Sequence, residues 1–187
     1  MICLRWYRLY ANASWREKIE SRITMTAHER NELLTLADSR LLLQCRVDCF
    51  RGSGRGGQKR NTTESAVRVT HEPTGIAAVS DKTRSQNANR RLALRQLRHE
   101  IALQCRSEPP QRHDGPWCPG ARTAEYAVWM ATVLDVLADC DWRVSEAANF
   151  FGVSTAALVR ALQGDEKLWQ RVNAARQKRG FRPLRAR

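Results

Sequence analysis

Apolar and polar positions repeat with two different periods along this chain, and the change of period divides it. Leu33, Leu34 and Leu36 follow Thr26-Ala27-His28-Glu29. A threonine with a glutamate three positions on satisfies the first free amides of a helix, so a helix is predicted over about 27–37. Cys45, Val47 and Cys49 then alternate with Arg46, Asp48 and Phe50. That period of two predicts a strand with the cysteines and valine on its core face. A second strand is predicted over 66–70 and a third over 76–79, with Pro73-Thr74-Gly75 turning the chain between them. A short helical turn is expected over 61–64. A long helix is expected over about 85–105, with Ala88, Leu92, Leu97, Ile101 and Ala102 inward and Arg90, Arg91, Arg95 and Arg98 outward.

Residues 107–120 hold Pro109, Pro110, Pro116 and Pro119, four of the six prolines, with Gly115 and Gly120. Such a stretch reads as a linker. Beyond it the pattern turns helical, with an amphipathic helix over about 124–140. Residues 144–162 have the form of a helix-turn-helix. Ala147 and Ala148 allow close crossing, Gly152 makes the turn, Ser154 caps the next helix, and Leu158 and Leu162 face inward. Asp165 caps a further helix carrying Trp169 and Val172. Arg176, Lys178, Arg179, Arg182, Arg185 and Arg187 make a basic tail. The expected organisation is an extension at 1–25, an α+β domain at 26–106, a linker at 107–120 and a helical domain with its tail at 121–187. The first 22 residues read as an extension, an upstream start (with Met25 as the alternative) or a targeting peptide; Glu17 and Glu20 argue against the last.

Charge narrows the partner. The net charge is +13 and the sequence pI about 10.4. Residues 45–106 carry thirteen Lys/Arg against five Asp/Glu, and residues 121–187 carry eleven against seven. The excess favours a polyanion, and it gathers where the glycines lie; a surface that only aids solubility is the bland alternative. No apolar run of about 18 residues occurs, which argues against a membrane span. The six cysteines form no CxxC pair, so reduced thiols are expected rather than zinc or disulfides.

The candidate chemistry sits in Arg51-Gly52-Ser53-Gly54-Arg55-Gly56-Gly57-Gln58. Four glycines within six residues mark a loop that needs unusual dihedrals or very close approach by a partner. Asn61, Ser65 and Val67 follow, then His71-Glu72-Pro73-Thr74-Gly75-Ile76, Arg84-Ser85-Gln86, Asn89, Ala93 and Leu94. Over roughly 44–106 this block resembles the GGQ domain of class I peptide-chain release factors and their ribosome-rescue relatives. The resemblance implies an α+β fold, a small GGQ domain of mixed sheet with a packed helix, followed here by the helix-turn-helix-like part.

The resemblance also implies a ribosome-dependent esterase of peptidyl-tRNA, with Gly56, Gly57 and Gln58 catalytic. In the family the glutamine's backbone amide assists the transition state or the leaving hydroxyl, and its side chain shapes the pocket for water. Ribosome and tRNA supply the remainder, including the 2′-hydroxyl of the terminal adenosine, so no side-chain triad, metal or cofactor is expected. Nucleic-acid contacts are expected from Arg51, Ser53, Arg55, Lys59, Arg60, Asn61, Arg84, Arg90 and Arg91, and from Lys178, Arg179 and Arg182 in the tail. Decoding factors follow the glutamine with His-Val-Asn, where this chain has Lys59-Arg60-Asn61, and Arg55 stands where a small residue or proline is common. His71 invites a general-base role, but packing in the turn is the stronger reading.

The residues before the loop are too few for a stop-codon-reading domain. The expectation is therefore the codon-independent rescue type, acting as a monomer on ribosome and peptidyl-tRNA, in the cytoplasm or an organelle matrix. The helix-turn-helix-like part and basic tail would anchor it to rRNA, tRNA or an mRNA-free channel. Two alternatives stay open: a ribosome-binding factor with an inactive loop, motivated by Lys59-Arg60, and a DNA-binding regulator. The reading helix of the latter offers only Ser154, Thr155 and Arg160 among many alanines.

Overall fold

The computed structural model describes residues 25–51, 64–113 and 116–185. Residues 1–24 of the N-terminal extension and residues 61–63 of the turn expected over 61–64 lie outside them. Helix α1 spans Ala27–Thr35 and opens with the expected reciprocal cap: the Glu29 amide donates to Thr26 Oγ1 (3.2 Å), and the Thr26 amide donates to the Glu29 carboxylate (2.9 Å). A short helix not foreseen in the sequence, α2, spans Asp38–Leu42 and buries Leu41 completely.

Strands β1 (Cys45–Phe50), β2 (Ala66–His71) and β3 (Ala77–Ser80) pair antiparallel in chain order. Val67, Val69 and His71 alternate onto the buried face of the sheet, and Arg68 points to solvent. Helix α3, Gln86–Gln104, covers that face. Its buried stripe is Asn89, Ala93, Leu94, Leu97, Ile101, Ala102 and Leu103, whereas Ala88 and Leu92 are only half-buried. The expected stripe began in the wrong place because the inward position at its start is an asparagine, which patterning by hydrophobicity passes over.

Arg98 corrects a second expectation. It does not face outward: Nε donates to Leu34 O (3.2 Å), Nη2 to Leu36 O (2.6 Å), and Nη1 pairs with Asp38 (2.7 Å). The last carbonyls of a helix lack intrahelical donors, and the arginine supplies them to α1.

Helix α4, Glu125–Asp139, is central rather than amphipathic: from Tyr126 to Leu137 every residue but Val128 is buried. It packs on α1 and α3, and the apolar core runs without a break from the sheet into the helical part. Helices α5 (Val144–Phe150), α6 (Thr155–Gln163) and α7 (Glu166–Lys178) complete the order. Gly152 turns between α5 and α6 with φ +66°, the Ser154 hydroxyl accepts from the Ala157 amide (3.2 Å), and Asp165 accepts from Leu168 N (2.9 Å). Residues 107–113 and 116–120 form neither helix nor strand, and Trp117 stacks edge-on against Trp129.

A buried ionic cluster joins these parts. Asp135 of α4, 2% exposed, accepts from Arg30 of α1 (2.6 Å), Arg106 just after α3 (2.9 Å) and the Ser107 hydroxyl (3.0 Å). Among the described residues no helix is long and apolar enough to cross a membrane, and no cluster of His, Cys, Asp and Glu is placed to hold a metal. The five described cysteines are free thiols, and burial pushes Cys45 up to about 11.

Candidate nucleic-acid interface and loop stem

Gly56, Gly57 and Gln58, with Ser53, Arg55, Lys59, Arg60 and Asn61, lie outside the described residues. The stem that carries them is described. Phe50 pairs with Ala66 at the end of the β1–β2 ladder, so the chain leaves the sheet at Arg51 and returns through Glu64 and Ser65 at fixed points.

Asn89 holds the return. Its Nδ2 donates to Ser65 O (2.7 Å) and Thr83 O (2.8 Å), and its Oδ1 accepts from Thr83 N (2.9 Å) and the Thr83 hydroxyl (3.1 Å). The residue is fully buried. A buried amide is stable only when its hydrogen-bonding groups are met, and here they are met by main chain from both flanks of the sheet. Gln86 adds a bond to Glu64 O (3.3 Å), and Ser85 caps α3 through the Ala88 amide (3.3 Å). The first turn of α3 is thereby bolted to the base of the glycine loop. Sequence patterning gave Asn89 only as part of a resemblance; its polar character at an inward helical position was the signal.

Cations gather at this end of the sheet. Arg51 is exposed directly after β1, Arg84 is exposed in the turn before α3, and Arg91 is exposed on α3. Arg90 is half-buried, and its Nε has no partner among the described residues. Arg68 lies over the Phe50 ring, 5.5 Å from its centroid, on the open face of the sheet beside the loop stem. This patch suits phosphate contacts, which position a nucleic acid without reading bases.

Of the tail residues, Lys178 and Arg182 are exposed. Arg179 is engaged within the protein: it donates to Asp141 (2.9 Å) and stacks over Trp142 (5.4 Å).

His71 lies at the opposite end of β2 from the loop. Its Nδ1 is 2.8 Å from Thr74 Oγ1 and its Nε2 3.2 Å from Gln44 Oε1. A carboxamide oxygen can only accept, so Nε2 carries the proton and the threonine hydroxyl donates to Nδ1. Burial holds the imidazole below its ordinary 6.5, and the ring serves the turn, where Gly75 adopts φ +66°.

Comparison with known proteins adds to this geometry. A family model described as the RF-1 domain matches residues 42–115. Peptide chain release factor 1 of Leptospira biflexa is 58% identical over 59 residues, covering 32% of this chain and 17% of that protein. Peptide chain release factor 2 of Neisseria meningitidis serogroup C is 37% identical over 99 residues, covering 49% and 26%. Peptide chain release factor 1 of Syntrophobacter fumaroxidans is 49% identical over 67 residues, covering 36% and 19%. The chain thus spans about a quarter or less of the length of these relatives.

Proposed function

Residues 42–115 belong to the class I release-factor GGQ-domain family, and from that premise we propose that this protein hydrolyses peptidyl-tRNA in the peptidyl-transferase centre of stalled ribosomes without reading a stop codon. The observation that carries the reading is Gly56-Gly57-Gln58 on the connection between two strands, with the return of that connection bolted to α3 by Asn89.

The reaction adds water to the ester carbonyl and breaks the bond to the tRNA 3′-oxygen. Negative charge develops on oxygen in the transition state, and a main-chain N–H aimed at it stabilises that charge. Glycines at 56 and 57 let the backbone enter a crowded RNA site without a Cβ in the way. The Gln58 amide is the donor in this scheme and its side chain shapes the water's pocket. Arg51, Arg55, Lys59, Arg60, Arg84, Arg90 and Arg91 meet phosphates, and Ser53 and Asn61 make polar contacts to the acceptor end or rRNA. The basic helical unit after the GGQ domain supports codon independence, because it stands in the place where the small rescue relatives carry a basic extension.

The test is release of labelled peptide from ribosomes holding peptidyl-tRNA, with an empty A site and no stop codon. Wild type should release, and Gly57→Ala, whose added Cβ keeps the Gln58 amide from its position, should lose about 100-fold or more in rate, the scale of losing an oxyanion donor. Release only when a stop codon is present overturns codon independence. Binding without release by wild type under either condition overturns the esterase and leaves a binding factor.

A further inference from the structure

The C-terminal basic segment does not leave the protein. Gly180 reverses the chain with φ +78°, and residues 181–185 run back along α7. Leu184 N donates to Asn173 Oδ1 (2.7 Å), Arg176 donates to Arg182 O (3.3 Å from Nε) and lies over the Phe181 ring (5.2 Å), and Leu184 packs on the core. The segment then reaches α6, where Gln163 Nε2 donates to Arg185 O (3.4 Å). Arg160 stands one turn earlier on α6, about 5 Å along the helix.

This fold-back sorts the arginines into two sets. Arg176 and Arg179 are consumed within the protein: Arg176 also donates to Trp142 O, and Arg179 pairs with Asp141. Both act on the α4–α5 turn, where Asp141 and Trp142 hold φ of +48° and +62°. Arg160, Arg182 and Arg185 are the other set. All three are exposed, and among the described residues none forms an ion pair. The four carboxylates after residue 140 are occupied elsewhere. Asp141 binds Arg179, Glu146 binds Arg143, Asp165 caps Leu168 and Glu166 holds Gln170.

From this we infer that α6 and the folded-back tail form one fixed docking surface for the phosphodiester backbone of structured RNA, with Arg160, Arg182 and Arg185 as its contacts. Three exposed guanidiniums without ion pairs, one on α6 and two on the tail that folds back to it, match a polyanion. Beside Arg160, α6 exposes Thr155 and Ala156 and half-buries Gln163, which offers little for reading base edges, so the contact is to backbone and independent of sequence. Identifying the RNA as ribosomal rests on the proposed function. The surface differs in kind from a free basic tail: an arginine on a helix shares the work with two on the tail, and the tail does not need to thread a channel.

The experiment measures binding of the full-length protein to ribosomes carrying peptidyl-tRNA at several salt concentrations, with Arg160→Gln, the pair Arg182→Gln/Arg185→Gln, and the triple variant. All sites are exposed, and thermal melts check the fold. The expected result is several-fold weaker binding for Arg160→Gln, a larger loss for the triple, and a log–log salt slope shallower by about one per lost phosphate contact. Wild-type affinity and slope for Arg160→Gln, with loss only in the tail pair, overturns the shared surface in favour of a tail acting alone. Unchanged binding in all three overturns RNA contact here. Ribosome binding that follows the expected pattern without peptide release would keep this inference and reject the esterase; no ribosome binding by wild type rejects both.

Discussion

Asn89 and His71 show how single polar side chains are made safe inside this small domain. Each amide group of Asn89 is matched to main chain or hydroxyl at Ser65, Thr83 and Ser80. Asn89→Ala takes the acceptor from the Thr83 amide and the donor from the Ser65 and Thr83 carbonyls at the half-buried base of the loop. It should cost about 1–3 kcal/mol of stability, read as a lower denaturation midpoint. It should also slow peptide release at saturating protein where the variant is still folded, because the loop's return point loses its anchor. Loss of activity that merely tracks the unfolded fraction would reduce Asn89 to a packing residue. His71 and His99 carry a pH signature. Burial lowers both below 6.5 in the fold, His99 despite Asp165 and Glu100 nearby and with Lys167 and Arg95 adding to the lowering. The unfolded chain then binds protons that the folded chain refuses, so the histidine contribution is fully present above pH 6.5 and is lost as pH falls below it. The melting temperature should drop between pH 7.5 and 5.5, a window above the ordinary carboxylate value of 4.5, and drop less in His71→Gln. Equal slopes for both proteins would remove His71 from the account.

At the scale of elements, the sequence made most of the architecture legible where local chemistry and pattern agreed. The Thr26/Glu29 box, the alternation over 45–50, the Ser154 and Asp165 caps and the Gly152 turn are each local signals, and each element appears where the signal put it. What was not legible depends on partners distant in sequence. Arg98 looked like a surface cation, but the open carbonyl end of α1 lies 62 to 64 residues away in the chain, and no periodicity encodes that. Helix α4 was expected to be amphipathic, but its Asp135 is drawn inside by two arginines from other segments. The glycines and glutamine proposed as catalytic are the reverse case. They are plain in the sequence through resemblance, and the structure describes only their stem. The Arg98 assignment has its own check. Arg98→Ala leaves the Leu34 and Leu36 carbonyls without their donor and Asp38 without its pair. It should destabilise by about 1–3 kcal/mol, while Arg95→Ala on the exposed face of the same helix should stay within about 0.5 kcal/mol. Equal effects in chemical denaturation would return Arg98 to the surface.

For the whole molecule, the unbroken core and the Asp135 cluster decide how its two parts behave. Helices α1, α3 and α5 pack directly on α4, and its buried side chains join the sheet and α5 to α7 in one apolar cluster. Asp135 is the charged centre of that contact, held by Arg30 and Arg106 from the sheet side. Removing one partner of a buried ion pair leaves uncompensated charge and costs about 3–5 kcal/mol, a large share of the roughly 5–15 kcal/mol that holds a typical domain. Of the six tryptophans, Trp117, Trp129, Trp142 and Trp169 lie after residue 115 and Trp6 and Trp15 near the N-terminus, so with Trp6 and Trp15 replaced by Phe in every protein compared, fluorescence reports the helical part, while far-UV circular dichroism reports both parts. In wild type the two probes should give one coincident denaturant transition, since neither part buries α4 without the other. Asp135→Asn, which keeps the shape and removes the charge, should move that midpoint down and separate the two curves. The fluorescence transition should come first, because α4 loses its anchor to α1 and α3 while the sheet keeps its own packing against α3. Two separate transitions already in wild type would instead make residues 121–187 an independently folding unit, and the docking surface on α6 would then be free to move with respect to the loop stem.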